Sequence, residues 1–204
     1  MSTAFANQAL YTPDDLLSMP DAKGFELVRG RLVEKAMGLE SAWVSGKLLG
    51  RLDRYAETHG TGWFFPSEAG YQCFPHDPRM VRKPDVSFVR KERLPGGVLP
   101  TGWSAIPPDL AVEVVSPKDR ASELEEKLAD YRIAGIPLIW VVYPESRIVM
   151  VHRRDGSVAR LLEADSLSGE DVLPDFVCPI REILPPAKSA EMAPPATSAP
   201  DGPR

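Results

Sequence analysis

The alternation of segments with helical spacing and segments with strand spacing predicts an α/β protein in which helices flank a mixed β-sheet. Apolar residues recur at helical spacing over 41–57 and again over 120–134. The second helix lies between two strand-like segments, 109–115 and 138–143, which is typical of two parallel strands joined by a crossover. Antiparallel hairpins would add the remaining strands, so the predicted sheet contains both kinds of pairing.

Turn and capping residues predict the shorter elements. Thr12 and Pro13 form the start signal of a short first helix. Gly30 separates two strand-like runs, which predicts a bent strand or a tight hairpin, and Asp155-Gly156 predicts a second hairpin. The strand-like segments outside the crossover unit are 25–28, 31–34, 63–65, 70–74, 85–89, 148–153 and 157–162.

The composition excludes several classes of protein. With 43% hydrophobic and 26% charged residues, the 204-residue chain has enough apolar side chains for a core. No apolar run approaches the ~18 residues that span a bilayer, and the first residues lack the pattern of a secretory signal. Cys73 and Cys178 have no metal-ligand spacing, which is typical of a reducing compartment, so we expect a cytoplasmic protein.

The chain divides into a domain and a tail. Composition is even over 1–184 and no repeat interrupts it, which predicts a single domain. Pro and Ala dominate 185–204, where Met192 is the one large apolar side chain. Such a segment cannot bury enough surface to offset its conformational entropy, so we expect a disordered Pro/Ala-rich tail.

A carboxylate interrupts the most apolar strand. Glu113 lies in the middle of Asp109-Leu-Ala-Val-Glu-Val-Val-Ser116, a run that is typical of a central strand buried on both faces. A buried carboxylate must be protonated, paired with a cation or bound to a metal, because otherwise it would cost several kcal/mol. A structural salt bridge with a neighbouring arginine is one interpretation, and a metal ligand is another.

A second acid, Asp85, follows Pro84 at the start of a strand with alternating apolar residues. Alone, a Pro-Asp pair usually indicates a turn. If the strands of Asp85 and Glu113 are neighbours, however, the two carboxylates meet at one point. Two hard oxygen ligands, completed by water, favour Mg²⁺ or Mn²⁺ over Zn²⁺.

Lys127 lies at the border of the apolar stripe on the helix at 120–134. At about 100° per residue it falls beside Leu124 and Tyr131, so its ammonium could reach over the edge of the sheet. The alternative is an ordinary surface ion pair with Glu123, four residues earlier.

Five motifs carry a resemblance to a known family. They are Phe25-Glu-Leu-Val-Arg-Gly-Arg-Leu-Val, Lys83-Pro-Asp-Val-Ser-Phe-Val, Pro108-Asp-Leu-Ala-Val-Glu-Val-Val-Ser-Pro, Lys127-Leu-Ala-Asp-Tyr-Arg-Ile-Ala-Gly-Ile-Pro and Ile139-Trp-Val-Val-Tyr-Pro. Over roughly Tyr11 to Leu184 the chain resembles the Uma-two family of endonucleases, within the PD-(D/E)XK nuclease superfamily. The resemblance implies a restriction-endonuclease-like core and a Mg²⁺-dependent endodeoxyribonuclease that hydrolyses phosphodiester bonds of DNA.

The resemblance also assigns roles to residues. It implies that Asp85 and Glu113 bind Mg²⁺ (or Mn²⁺), that Lys127 stabilises the transition state or orients water, and that Glu26 is a further member of the site. The superfamily's usual lysine, two residues after the second acid, is replaced by Val115, and a His common before the second helix is absent. These departures favour an alternative, a weak or inactive nuclease-fold module that binds nucleic acid or a protein. A hydrolase of another phosphate ester is a third interpretation.

Binding of DNA would need a local basic surface, because a net charge of −5 gives no overall attraction to phosphate. Arg82, Lys83, Arg90 and Lys91 are the predicted contacts, since they lie near Asp85 along the chain. A solvated loop is the alternative for such a run. Cutting both strands of a duplex also favours a homodimer.

Overall fold

Apart from a strand at 70–74, the predicted helices and strands are present, with small changes at their ends. The structure is a computed structural model that describes residues 10–35 and 38–187. The α-helices of this part are α1 (Pro13–Ser18), α2 (Leu39–His59) and α3 (Ala121–Ile133). The strands are β1 (Phe25–Val28), β2 (Arg31–Glu34), β3 (Gly62–Pro66), β4 (Val86–Arg90), β5 (Leu110–Val114), β6 (Leu138–Tyr143), β7 (Ile148–Arg153), β8 (Val158–Leu162), β9 (Ser166–Ser168) and β10 (Val177–Pro179).

Most of the predicted tail lies outside the described residues. Of the segment 185–204, residues 188–204 are not among those described, so the division of the chain at 184 stays a prediction. Within 10–35 and 38–187, no helix combines the length and the apolar character that crossing a membrane requires.

Six strands form one mixed sheet, as predicted, in the order β3-β4-β5-β6-β7-β8. The central strands β5 and β6 are parallel, with Glu113 opposite Val141, and α3 connects them. Every other neighbouring pair in this sheet is antiparallel. The α/β class and the crossover unit are therefore confirmed.

The long helix α2 covers one face of the sheet. Its residues Val44, Leu48 and Leu52 recur every fourth position and are fully buried. They belong to one apolar cluster with Val86 of β4 and Val112 of β5. This cluster is the larger part of the core, and it packs on the face of the sheet opposite to the site described below.

Helix α3 covers the other face. Leu128 and Tyr131 pack in a second apolar cluster with Ala111 of β5 and Ile139 of β6. Successive side chains of a strand point to opposite faces, so Glu113 shares this face with Ala111. The acid of the central strand thus points towards the helix that follows it.

The strands β1 and β2 form a tight hairpin closed by Arg29 and Gly30. Both turn residues have positive φ, 53° and 76°, which is typical of two-residue turns that match the twist of the strands. The hairpin is attached through Leu27, whose N–H donates to the carbonyl of Val81 (2.9 Å) and whose carbonyl accepts from the N–H of Val81 (2.8 Å). This pairing fixes the position of Glu26, the residue before Leu27.

The prediction of a strand at 70–74 is wrong. Only Tyr71 forms β-bridges in this segment, to Arg82 and Ser104. The backbone of this segment makes a few hydrogen bonds with Arg82 and Ser104 that do not extend into a strand. Trp103 packs closely against Gly70, where an added Cβ would lie 2.3 Å from its ring. Strands β9 and β10 are missing from the prediction, because three residues are too few to show a periodic pattern.

We expect Gly30→Ala to lower the free energy of unfolding by about 1–2 kcal/mol, because an L-residue is strained at this positive φ. The new Cβ would also lie 3.2 Å from the Leu10 side chain. The matched control is Gly46→Ala inside α2, where nothing lies within 4 Å of the added Cβ. This second change should stabilise the protein by about 0.5–1 kcal/mol. Urea denaturation measures both, and a Gly30→Ala protein as stable as wild type would contradict the assigned turn.

Candidate active site

Asp85 and Glu113 lie beside each other on adjacent antiparallel strands. Val86 pairs with Val112, which makes Asp85 and Glu113 the next positions in register. The N–H of Asp85 donates to the Val112 carbonyl (2.9 Å), and Asp85 Oδ2 accepts a hydrogen bond from the N–H of Val114 (2.7 Å). The two acids are 5% and 6% exposed and line the same cleft. The structure therefore brings together the two predicted metal ligands.

Helix α3 supplies the partners of Glu113. Lys127 Nζ lies 2.9 Å from Glu113 Oε2, and the hydroxyl of Tyr131 donates to Glu113 Oε1 at 2.6 Å. Lys127 is buried, and its Nζ also lies 3.0 Å from Glu26 Oε1. The alternative surface pair is not formed, because Glu123 pairs with Arg120 instead (3.6 Å). Lys127 thus bridges two predicted site acids.

Glu26 joins the site from the hairpin. Its Oε1 accepts a hydrogen bond from the N–H of Lys83 (2.7 Å), and its Oε2 lies 3.1 Å from Arg82 Nη1. Arg82 continues the network to Asp130 on α3, with its Nε donating to Asp130 Oδ2 at 3.0 Å. Each oxygen of Glu26 therefore has a cationic or N–H partner inside the protein.

Lys35 is a site residue that the sequence analysis missed. Its Nζ lies 2.8 Å from Asp85 Oδ1 and also donates to the carbonyl of Lys83. A signal was available: Val33 pairs with Glu26 across the hairpin, and Lys35 lies two residues further along, on the same face. Its backbone N–H donates to the carbonyl of Gly24 (2.8 Å), which anchors the residue at the base of the hairpin.

The cleft has room for water and an excess of negative charge. Its volume of about 110 Å³ exceeds that of several water molecules. Its charged lining consists of six acids and four bases: Glu26, Glu34, Asp85, Glu113, Asp119, Glu123, Lys35, Arg82, Arg120 and Lys127. The lining acids therefore outnumber the lining bases by two, although each of the three buried acids already has a cationic partner.

The donor set fits Mg²⁺ better than a metal that needs many protein ligands. Among residues 10–35 and 38–187, no three His, Cys, Asp or Glu side chains have the geometry of a ready-made metal site. Mg²⁺ usually keeps several waters and binds one or two carboxylates, so Asp85 and Glu113 with water would suffice. The hard oxygen donors of this cleft agree with that choice.

The network shifts the pKa values of its members in different directions. Burial, together with the carboxylates of Asp85 and Glu26, raises the pKa of Glu113 above its usual value in spite of Lys127. Although burial opposes the change, Lys127, Arg82 and Lys35 lower the pKa of Glu26 to about 2. Burial also opposes the charge on Lys127, but the three acids around it raise the pKa of this lysine. Glu26 and Lys127 are therefore charged at neutral pH.

The four predicted nucleic-acid contacts do not form one surface. Arg82 and Lys83 are 5% and 1% exposed. The Lys83 ammonium donates to the carbonyl of Ala22 (2.5 Å) and lies over the Trp103 ring. Because both side chains are bound inside the protein, we do not retain them as contacts.

Arg90 and Lys91 lie at the opposite end of β4 from Asp85. About 17 Å of extended chain separates Asp85 from Arg90. Lys91 is exposed, whereas Arg90 is half-buried and donates to the carbonyl of Asp171. These two residues are therefore remote from the cleft.

The fold and the acidic cleft define a nuclease-like α/β protein, and two comparisons agree. Residues 13–181 match the Uma2 family, described as "Putative restriction endonuclease", so the chain belongs to this family. A solved structure described as a "putative nuclease belonging to DUF820", from Anabaena variabilis ATCC 29413, superposes with a TM-score of 0.70. It is 17% identical in sequence, and the match covers 84% of this chain and 96% of that one, which shows a shared fold. No curated protein matches the chain.

Glu26 should stabilise the protein at neutral pH and lose this effect in acid. Its pKa is about 2 in the folded state against 4.5 as a free side chain. A lowered pKa contributes stability that is present above 4.5 and is lost as the pH falls towards 2. Glu26→Gln should therefore be less stable than wild type at pH 7, on the order of 3 kcal/mol, and the difference should shrink through this acid range.

Urea denaturation at several pH values measures that difference. The control is Glu126→Gln, an exposed acid on α3, which should leave stability close to wild type at every pH. A constant difference for Glu26→Gln from pH 7 to pH 3 would contradict the assigned ion pairs.

Proposed function

We propose that the chain is a Mg²⁺-dependent endonuclease that hydrolyses phosphodiester bonds of DNA. The observation that supports this proposal is the meeting of Asp85 and Glu113 at one cleft, with the Lys127 ammonium 2.9 Å from Glu113. Membership of a restriction-endonuclease family supports a nucleic acid as the substrate.

Asp85 and Glu113 are the proposed metal ligands. When bound, Mg²⁺ would neutralise charge on the scissile phosphate and lower the pKa of a water molecule. Asp85 is held for this role by the N–H of Val114, and Glu113 by the hydroxyl of Tyr131. Because these donors each bind one oxygen, they fix the direction of both carboxylates.

Lys127 is the proposed catalytic lysine, and it reaches the site from α3 instead of from β5. Its charge at neutral pH suits it to stabilise the negative charge that develops on the phosphate or to orient the attacking water. Glu26 is better suited to position Lys127 than to accept a proton, because a carboxyl with a pKa of about 2 is a weak base.

Arg120 is the proposed contact to the DNA backbone. Its side chain is 79% exposed, lines the cleft and precedes the first turn of α3. Its ion pair with Glu123 is long (3.6 Å) and solvent-exposed, so the pair holds the guanidinium weakly. A phosphate at the mouth of the cleft could replace Glu123 as its partner.

The second candidate is a nuclease-fold module that binds nucleic acid or a protein without cutting. Its support is that Val115 stands at the usual lysine position and that Lys35 and Lys127 already pair with the site acids. A homodimer, which would present two clefts to a duplex, stays a prediction.

We expect Asp85→Asn and Glu113→Gln to lower Mg²⁺-dependent DNA cleavage by at least about 100-fold, because each removes one charge from the proposed metal site. Supercoiled, linear and single-stranded DNA would be tested with Mg²⁺ and with a chelator. Glu125→Gln, an exposed acid of α3, is the control and should cut like wild type. Cleavage by both site variants at the wild-type rate would refute the assignment, and DNA binding without cleavage by wild type would favour the module.

We expect Arg120→Ala to weaken DNA binding and to reduce the slope of log affinity against log salt by about 1, as for the loss of one phosphate contact. Arg160→Ala removes an equal charge from exposed β8, remote from the cleft, and should leave the slope unchanged. Fluorescence anisotropy at several salt concentrations measures both slopes. Equal slopes for the two variants would remove Arg120 from the proposed interface.

A further inference from the structure

Lys35 is the ion-pair partner of Asp85. In the described part of the chain, no other side chain of the cleft forms an ion pair with this acid. The Lys127 ammonium is shared between Glu113 and Glu26, whereas Asp85 Oδ1 is contacted by Lys35 Nζ at 2.8 Å. The Lys35 side chain is 13% exposed, and its ammonium also binds the Lys83 carbonyl. A half-buried ammonium between a carboxylate and a carbonyl marks a position that suits a cation.

A metal ion and the Lys35 ammonium cannot share this position. Mg²⁺ binds oxygen at about 2.1 Å, and two positive charges at one carboxylate oxygen repel each other. Lys35 can leave without unfolding the hairpin, because its backbone is held separately by the carbonyl of Gly24 and its long side chain is flexible.

The ammonium of Lys127 is held in the cleft by more contacts with acids than the ammonium of Lys35. It contacts two carboxylates, so it keeps Glu26 even if Glu113 turns to a metal. In the described part of the chain, Lys35 forms an ion pair with one carboxylate, that of Asp85, and it would lose this pair if Asp85 bound a metal. The two lysines therefore differ in the free energy that each loses on metal entry.

We infer that Lys35 occupies the metal position beside Asp85 in the metal-free protein, and that it thereby sets the Mg²⁺ concentration at which the cleft is filled. This inference rests on the proposed metal-dependent function. It makes Lys35 a positioning residue that stabilises the acidic site before the metal arrives and weakens metal binding through competition.

Calorimetric titration of wild type and Lys35→Met with MgCl₂ and with MnCl₂ tests the inference. We expect Lys35→Met to bind at least about tenfold more tightly, which corresponds to about 1.4 kcal/mol. The control Lys23→Met removes an exposed lysine of the same hairpin region that does not line the cleft, and it should stay within about threefold of wild type. Equal or weaker metal binding by Lys35→Met than by Lys23→Met overturns the inference.

Two further measurements keep the test decisive. Lys35→Arg retains the charge and should bind metal within about threefold of wild type, so a tenfold gain in that variant would also overturn the inference. Thermal unfolding should show that metal-free Lys35→Met melts below wild type and gains more from added Mg²⁺. If neither wild type nor Lys35→Met binds a divalent ion, the proposed metal-dependent function itself fails; if both bind equally, only the role of Lys35 fails.

Discussion

The burial of three carboxylates around one cleft is the constraint on which the rest of the structure depends. A buried charge without a partner costs several kcal/mol, and neighbouring carboxylates repel each other as well. The cations that offset this cost come from separate elements: Lys127 from α3, Arg82 from the segment before β4, and Lys35 from the end of β2. These ion pairs therefore join the hairpin, the sheet and the crossover helix. The hairpin, which is not part of the six-stranded sheet, is held over it by this network and by the pairing of Leu27 with Val81.

Whether Glu113 has a cationic partner depends on which basic side chain lies near it in space, not on which residue follows it in the sequence. Val115 lies on the same face of the sheet as Glu113, but it packs in the apolar cluster under α3 and brings no charge. Lys127 lies on α3, the helix that follows β5, and its ammonium is at hydrogen-bond distance from the Glu113 carboxylate. The cleft therefore has a cation although Val115 is apolar, because the helix that covers this face of the sheet passes directly over the acid.

Local periodicity predicted most of the helices and strands. The meeting of Asp85 with Glu113 was predicted only on the condition that their two strands are neighbours, because alternation along each strand does not determine which strands pair. Local periodicity did not predict the fate of Arg82, since a run of charged residues has the local pattern of a surface loop. The buried Arg82 forms ion pairs with Glu26 and Asp130, which lie 56 and 48 residues away along the chain. For Lys35, spacing along the hairpin indicates the face that it shares with Glu26, but its contact with Asp85 also depends on how the hairpin packs against the sheet, which local spacing does not encode.

The environment of Glu113 gives a physical reason why the proposed metal would be expected at this site. Lys127 alone cannot offset Glu113, because it also serves Glu26, and burial with two acidic neighbours raises the pKa of Glu113. A carboxylate in that condition gains from either a proton or a cation. The neutral form would give up its ionic contact with Lys127, whereas a divalent ion would keep that carboxylate charged. The arrangement that makes the acidic site costly would therefore favour the Mg²⁺ that the proposed function requires.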